Sequence, residues 1–315
     1  MSKISSALRR LLAQGLDLMQ NPVFLKETRS LMRGPRAFII ISLYLLVVGG
    51  LVGMVYLAFT ADLSAASMAE VSQSLGKSIF ATVVGLNLVM ISFLAPGLTA
   101  GAISAERERQ TYELLRTTLL SPVHLVHGKM GAALSFLLVL LTIGFPLQAL
   151  AYWFGGVSLE EVLISALMLA VCAATFSALG IFVSTLFRST LVATIVSYLL
   201  SAMTLFGSLV MLGFVAAFSG LTYSYNLNPT QELMFEVVLF SIGYLLVAVN
   251  PLAASVASEV MLMEEQQIFY TTLPLSQGFQ YPVISPWIPF CVLSLLFSLV
   301  LIRLAIWAVK RRGSV

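Results

Sequence analysis

Charged residues are scarce in this chain. Of its 315 residues only 10% are Asp, Glu, Lys or Arg, whereas 59% are hydrophobic. Soluble domains carry roughly 25% charged residues, so a soluble fold could not keep this much apolar surface away from water. The net charge of +3 gives no reason to expect a nucleic-acid partner. The composition therefore indicates an integral membrane protein surrounded by a lipid bilayer.

Cysteine and histidine are also scarce, with two of each. Cys172 and Cys291 lie in apolar runs, and two thiols make no disulfide framework. His124 and His127 stand three residues apart, but no cysteine lies near them in sequence to complete a zinc site. An intramembrane enzyme needs clustered acids, histidines or nucleophiles at membrane depth. Neither a metal site nor enzymatic chemistry is therefore expected.

No nucleotide-binding motif is complete either. Gly76-Lys77-Ser78 matches the end of the phosphate-binding pattern G-x-x-x-x-G-K-S, but the first glycine of that pattern is replaced by Val71. We therefore predict that the chain is not an ATPase and binds no cofactor itself.

Six apolar runs are each long enough to cross a hydrocarbon core of about 30 Å, which takes roughly 20 helical residues. The first run begins too far along the chain, and is too long, for a cleaved signal peptide. We predict an all-α membrane fold with one membrane domain, 37–315, preceded by an interfacial segment, 1–36. The predicted spans are 37–59, 79–103, 129–154, 162–187, 191–219 and 286–309.

The basic residues give the orientation. The segment before residue 37, the loop after the second span, the turn after the fourth and the end of the chain hold all the Lys and Arg residues except Lys77. Lys and Arg accumulate in cytoplasmic loops, so both termini are predicted to be cytoplasmic, in a bacterial-type inner membrane. An even number of crossings follows.

A seventh apolar stretch, 233–249, is shorter, contains Glu236 and stops at Asn250-Pro251. If it crossed the membrane, the basic C-terminus would lie outside. We therefore predict that 233–263 forms a re-entrant hairpin or a pair of short helices on the outer side.

The N-terminal segment is predicted to form an amphipathic helix, because Ile4, Leu8 and Leu11 fall near one face. Such helices are typical of a membrane interface. Asn21-Pro22 predicts a helix start, because Asn is a favoured N-cap and Pro a favoured first residue. This second helix is expected to end near Gly34-Pro35, where the first span begins.

The loop between the second and third spans is dense in charge. Arg109 and Glu113 are four residues apart and share a helix face, and Leu115 follows Tyr112 at helical spacing. Ser121-Pro122 predicts a new helix start before the third span. The loop therefore holds a short cytoplasmic helix, which is either a docking element or an ordinary solvated charged face.

The sequence ERERQTYELLRTTLLS, residues 106–121, resembles the coupling segment of ABC-2 type transporter permeases, commonly E-R-E-x-G-T-x-E-L-L-x-x-T-P-L-S. Gln110 replaces the glycine of that pattern and Leu119 its proline, so the turn between the two helical pieces is in question. The matching positions are Glu106, Arg107, Glu108, Thr111, Glu113, Leu114, Leu115, Thr118, Leu120 and Ser121.

The resemblance implies that the coupling segment (106–121) docks into a separate cytosolic ABC ATPase. Two ATPase copies, carrying ATP and Mg, would drive export through a dimer of permease subunits, either identical or different. The residues implied to couple are Glu106, Arg107, Glu108, Arg109, Thr111, Tyr112, Glu113 and Leu115.

Polar residues inside spans are candidates for a transport pathway, although neighbouring helices can satisfy them equally well. Here they are Asn87, Gln148 and Glu236. The alternative function is a secondary transporter or channel that works without an ATPase. Such a protein would need buried ionisable pairs or repeat symmetry, and the sequence shows little of either. Gly49 and Gly53 form a G-x-x-x-G pattern, which permits close helix packing within the subunit or between two subunits.

Overall fold

The computed structural model describes residues 21–61, 68–110, 121–222, 228–265, 268–274 and 278–311. Of these described residues 87% are helical. The predicted amphipathic helix before residue 21 and the second half of the coupling segment lie outside the described residues. The first helices are α1 (Pro22–Met32), α2 (Pro35–Ala61), α3 (Met68–Thr99), α4 (Ser104–Glu108), α5 (Pro122–Trp153) and α6 (Leu159–Leu186).

The second half of the chain is helical except for one hairpin. Its helices are α7 (Thr190–Ala202), a π-helical turn (Met203–Gly207), α8 (Ser208–Thr222), α9 (Pro229–Val249), α10 (Pro251–Glu265) and α11 (Trp287–Arg311). The strands are β1 (Tyr270–Pro274) and β2 (Gln280–Ile284), which pair antiparallel with Tyr270 opposite Ile284.

Seven of the described helices are long and apolar enough to cross a membrane. Six of them each overlap a predicted span along nearly its whole length, and the seventh, Thr230–Val249, is the stretch that we expected to stay on the outer side. It is 20 residues long, so the expectation of a short helix there is wrong. Length and composition alone make it a seventh candidate span.

Helix starts follow the sequence signals for capping. At α1 the side chain of Asn21 accepts a hydrogen bond from the backbone N–H of Val23 at 3.0 Å, with Pro22 next. At α5 the Ser121 hydroxyl accepts from the N–H of His124 at 3.3 Å. Helix α5 therefore begins seven residues before the apolar run at 129. Both predicted starts are confirmed, as is the break at Gly34, whose φ is +128°.

Helix α6 lies at the centre, packed against α3, α5, α7 and α11. Its small and apolar residues are buried on most sides, including Ala173, Phe176 and Ile181. Helix α2 and the α7–α8 helix are peripheral, with large exposed apolar side chains such as Leu46 and Phe214. In a membrane protein, exposed apolar surface of this kind contacts lipid or another subunit.

The G-x-x-x-G pattern in α2 does not pack within the described chain. No atom of another described helix or strand lies within 4 Å of the position that a Cβ would take at Gly49 or at Gly53. Of the two alternatives, packing within the subunit is therefore wrong for the part of the chain that the structure describes.

Helices α9 and α10 form a hairpin that turns at Asn250. Gly243 of α9 faces Val215 of α8, and further along α9 the Asn250 side chain donates to the Leu205 carbonyl at 2.7 Å and to Ser208 Oγ at 2.6 Å. Later residues of α9 therefore contact earlier residues of the α7–α8 helix, so the two helices run antiparallel. Asn250 thus reaches the π turn, about halfway along the helix that begins at Thr190.

Helix α10 then runs back alongside α6. Ala254 packs with Met168 and Val171 of α6, and further along α10 the Glu259 carboxyl lies near Glu161, in the first turn of α6. Both ends of the α9–α10 hairpin therefore lie towards the same end of the molecule.

The β-hairpin was not predicted from the sequence. It is joined to α9 through the Tyr244 hydroxyl, which donates to the Ile284 carbonyl, and through Ser241, which hydrogen-bonds Tyr281 at 3.0 Å. The Trp287 indole of α11 donates to the Ile268 carbonyl at 3.0 Å. The hairpin therefore closes over the start of α11.

Candidate functional site at the basic end of the helices

The charged segment that follows α3 is fixed at its first residues to the end of α6. Ser184 Oγ accepts hydrogen bonds from the backbone N–H groups of Ile103, at 2.8 Å, and Ser104, at 3.0 Å. Both serines are completely buried. One hydroxyl thus satisfies two N–H groups at a helix start that would otherwise lack partners. Four elements come together in this region: α1, α4, the start of α5 and the α6–α7 turn. We call this region the 'basic end'.

The next charged residues also face the chain itself. The Arg107 guanidinium donates to the Thr185 carbonyl, at the end of α6, at 2.7 Å. The Glu108 carboxylate accepts from the N–H of Thr190, at 3.1 Å, and from its hydroxyl. Because Thr190 opens α7, the carboxylate caps the positive end of that helix. These two side chains fasten α4 to the turn between α6 and α7.

Glu106 points towards α5 instead. Its carboxylate lies 2.7 Å from Lys129 Nζ, and the same ammonium lies 3.4 Å from Glu27 of α1. Lys129 is 8% exposed, so most of its charge is balanced by these carboxylates rather than by water. The sequence had placed Lys129 among the basic residues of the cytoplasmic loop and gave no sign that it was paired. The spacing of Glu106 and Lys129 is too long for a helix-face rule to find the contact.

The turn after α4 takes the shape that a glycine would take. Gln110 has φ +59°, in the left-handed region that glycine adopts at helix ends without steric cost. The replacement of the family's glycine by Gln110 therefore leaves this helix end in place. Arg109 is exposed. Thr111, Tyr112, Glu113 and Leu115 lie outside the described residues, so their predicted role stays a prediction.

Helix α1 docks against the first turns of α5. The Asn21 amide donates to the His124 carbonyl at 2.7 Å. A Cβ on Gly128 would lie 2.9 Å from Val23 Cβ and 3.1 Å from the Phe24 nitrogen. Only a glycine leaves room for this approach of the two backbones. Sequence reasoning found the Asn21 cap but not the contact, because nothing local relates residue 21 to residue 128.

The two histidines have ordinary local partners. His124 Nδ1 lies 2.6 Å from Ser121 Oγ, and His127 Nδ1 lies 2.9 Å from the Val123 carbonyl. Among the described residues no group of three or more His, Cys, Asp or Glu side chains could hold a metal ion.

The candidate pathway residues do not come together. The Asn87 oxygen accepts a hydrogen bond from the Tyr44 hydroxyl at 2.8 Å, and both residues are buried between α2, α3 and α5. They border a small pocket with otherwise apolar walls. Gln148 is buried in α5, and Glu236 is half-buried in α9. The contact of Asn87 favours the alternative in which a neighbouring helix satisfies it.

Acidic residues meet at the opposite end, where α6 and α10 approach the start of α3. Burial raises the pKa of the Glu259 carboxyl to about 6; Glu161 also raises it, and Lys77 opposes the change. The folded protein therefore binds this proton more tightly than the unfolded chain does. The contribution of Glu259 favours folding below the ordinary value of 4.5 and becomes a cost as the pH rises past about 6.

We expect Glu259→Gln to remove this cost. The variant should gain stability relative to the unchanged protein as the pH rises from about 5 to about 7, by about 1 kcal/mol after allowing for partial solvent screening. Thermal unfolding of both proteins in detergent across that pH range measures the difference. A difference in Tm that stays constant with pH would contradict this prediction.

A family model described as ABC-2 family transporter protein matches residues 21–313. A search of curated proteins found no significant match. The match covers all the helices described above, including α1 and the α9–α10 hairpin.

Proposed function

Because the chain belongs to the ABC-2 family of transporter proteins, we propose that it is the permease subunit of an ABC transporter and that a separate ATPase drives substrate export through it. The family places the chain in the membrane as a transport component. ATP and Mg would bind to the ATPase subunits and not to this chain. Its Gly76-Lys77-Ser78 sequence lacks the first glycine of a phosphate-binding loop, because Val71 stands at that position.

The observation that carries this proposal is the attachment of α4. Arg107 and Glu108 hold it to the α6–α7 turn, and Glu106 holds it to α5 and α1 through Lys129. A segment fixed to several helix ends can pass a push from a cytosolic partner to those helices together. A merely solvated charged loop would not need these contacts.

We propose that the coupling segment is divided by role. Glu106, Arg107 and Glu108 hold its beginning to the chain itself, and contact with the ATPase falls to the other residues that the resemblance indicated: Arg109, Thr111, Tyr112, Glu113 and Leu115. The family resemblance implied contact with the ATPase for all of them. We propose the narrower set, headed by Tyr112 and Glu113.

We further propose six crossings with both termini in the cytoplasm. The α9–α10 hairpin reaches the π turn halfway along the α7–α8 helix and returns to the end where Glu161 lies. A pair of helices that enters and leaves on one side adds no crossing, which agrees with the basic C-terminal residues Lys310 and Arg311 lying on the cytoplasmic side. Broken helices of this kind persist at membrane depth where protein surrounds them.

The complete transporter would contain two ATPase copies and a second permease subunit, identical or different, in the bacterial inner membrane. The exposed apolar surfaces of α2 and of α7–α8 support a second subunit. Open space at Gly49 and Gly53 would let another helix approach α2 closely.

Photo-crosslinking tests the ATPase contact. A photo-reactive amino acid at Tyr112 should join the chain to a soluble protein that hydrolyses ATP. The matched control is Tyr152, which is exposed near the far end of α5 and should give no such product. A product from position 152 alone, or no ATPase at position 112, would contradict the proposal. Gradient-driven transport by the chain alone in liposomes would instead favour a secondary transporter or channel.

A further inference from the structure

Lys129 makes two ion pairs with residues from two different elements. Its ammonium lies 2.7 Å from Glu106 Oε1 in α4 and 3.4 Å from Glu27 Oε1 in α1, and its side chain is only 7% exposed. A buried ammonium is costly unless carboxylates and hydrogen bonds balance it. A lysine that merely flanked a span would extend its amine to the headgroups. This one is turned inwards.

The three elements have different attachments. Helix α1 is held to α5 by the Asn21 amide and by the close approach at Gly128. Segment α4 is held to the α6–α7 turn by Ser184, Arg107 and Glu108. The ammonium of Lys129 bridges these two groups of helices. It joins the pair α1 and α5 to the group α4, α6 and α7.

We propose that Lys129 is a positioning residue for energy coupling: it passes movement of the coupling segment to α5 and α1. This inference rests on the proposed function. When a partner shifts α4, the short Glu106–Lys129 contact makes α5 follow. Without the ammonium, two carboxylates would face each other with no shared counter-charge, and a shift of α4 would reach α5 only through the packing of α5 against α3 and α6.

The test uses the full complex of this chain with its ATPase. Spin labels at Trp153, near the far end of α5, and Phe218, on α8, are both at exposed positions, and Cys172 and Cys291 are replaced by Ala. Adding ATP and Mg should change the distance between the labels. In Lys129→Met we expect ATP hydrolysis to continue, while the fraction of molecules that change distance falls roughly tenfold.

Two further variants separate positioning from mere stability. Lys129→Arg keeps the cation, and the exchange Lys129→Glu with Glu106→Lys restores opposite charges in reverse order when Glu27→Gln is added, which removes the carboxylate that would face the new one at 129; both should recover the distance change. Lys310→Met, which removes an exposed cation from the end of α11, is the control and should respond as the unchanged protein does. If Lys129→Met does not assemble, the exchanged pair decides the question by responding or failing to respond to ATP.

The outcomes distinguish this inference from the proposed function. An unchanged protein that responds to ATP, together with a Lys129→Met variant that responds equally, overturns the role of Lys129 alone. An exchanged pair that folds and hydrolyses ATP without the distance change also overturns it. An unchanged protein that binds no ATPase and shows no response to ATP overturns the proposed function and, with it, this inference.

Discussion

Asn250→Ala is expected to lower the free energy of unfolding by about 3 kcal/mol, because the side chain uses both ends of its amide. Its nitrogen donates to the Leu205 carbonyl and to Ser208, and its oxygen accepts from the N–H of Ala253 at 2.9 Å. Asn250 is completely buried. Removing the amide takes the cap from α10 and leaves a carbonyl of the π turn without this donor, at a depth where water does not replace it. Unfolding of the purified chain by titration with a denaturing detergent measures the loss.

Asn228 is a matched control for this prediction. It also precedes a proline at a helix start, but it is exposed, and its N–H donates to Gln231 Oε1 within the first turn of α9 at 3.3 Å. Asn228→Ala should therefore cost about 1 kcal/mol or less. Asn250→Asp keeps the capping oxygen but places a carboxyl group against the Leu205 carbonyl at a completely buried position, so it should cost at least as much as Asn250→Ala. Equal losses at 228 and 250 would show that Asn250 acts only as a local cap.

The spans and helix starts could be predicted because they depend on local sequence. An apolar run of about 20 residues has few stable arrangements other than a membrane helix, and Asn-Pro or Ser-Pro sets a helix start whatever the rest of the fold does. The chain contains Asn-Pro at 21, 228 and 250, and each pair opens a helix. Sequence could not tell that Asn21 and Asn250 also reach another helix, whereas Asn228 has no such hydrogen bond to the other described helices.

The contacts that make up the candidate site depend on distant residues. Glu27 and Lys129 are more than a hundred positions apart, and neither lies in a pattern that indicates a partner. The resemblance of 106–121 singled out this segment but did not indicate the direction in which Glu106, Arg107 and Glu108 point. The sequence of a charged motif does not show whether its side chains bind a partner protein or other helices of the same chain.

The α9 region shows a different limit. Hydropathy cannot separate a helix that crosses a membrane from one that enters and turns back, because both are apolar. The charge balance favoured a hairpin, and Asn250-Pro251 marked its turn, but the predicted stretch began at residue 233, whereas α9 begins at Pro229. In the structure Glu236 is half-buried within a helix of 21 residues.

Gly128→Ala is expected to loosen the docking of α1 on α5 and to lower stability by about 2–3 kcal/mol. The added Cβ would lie 2.9 Å from Val23 Cβ, 3.0 Å from Asn21 Nδ2 and 3.1 Å from the Phe24 nitrogen. Two of these atoms belong to a rigid β-branched side chain and to the backbone, so α1 must move as a whole. Thermal unfolding and the rate of trypsin cleavage at the exposed Arg29 of α1 report the two effects.

Gly49→Ala provides the comparison, since a Cβ there would meet no atom of another described helix or strand within 4 Å. It should leave cleavage at Arg29 unchanged and change stability by no more than the helix preference for Ala over Gly, about 1 kcal/mol in favour of the variant. If both variants unfolded at the same temperature, the docking of α1 would not depend on the glycine. If only Gly128→Ala also weakened the response of α5 to ATP, the α1–α5 contact would carry part of the same coupling that Lys129 provides, because both hold α1 in place beside the coupling segment.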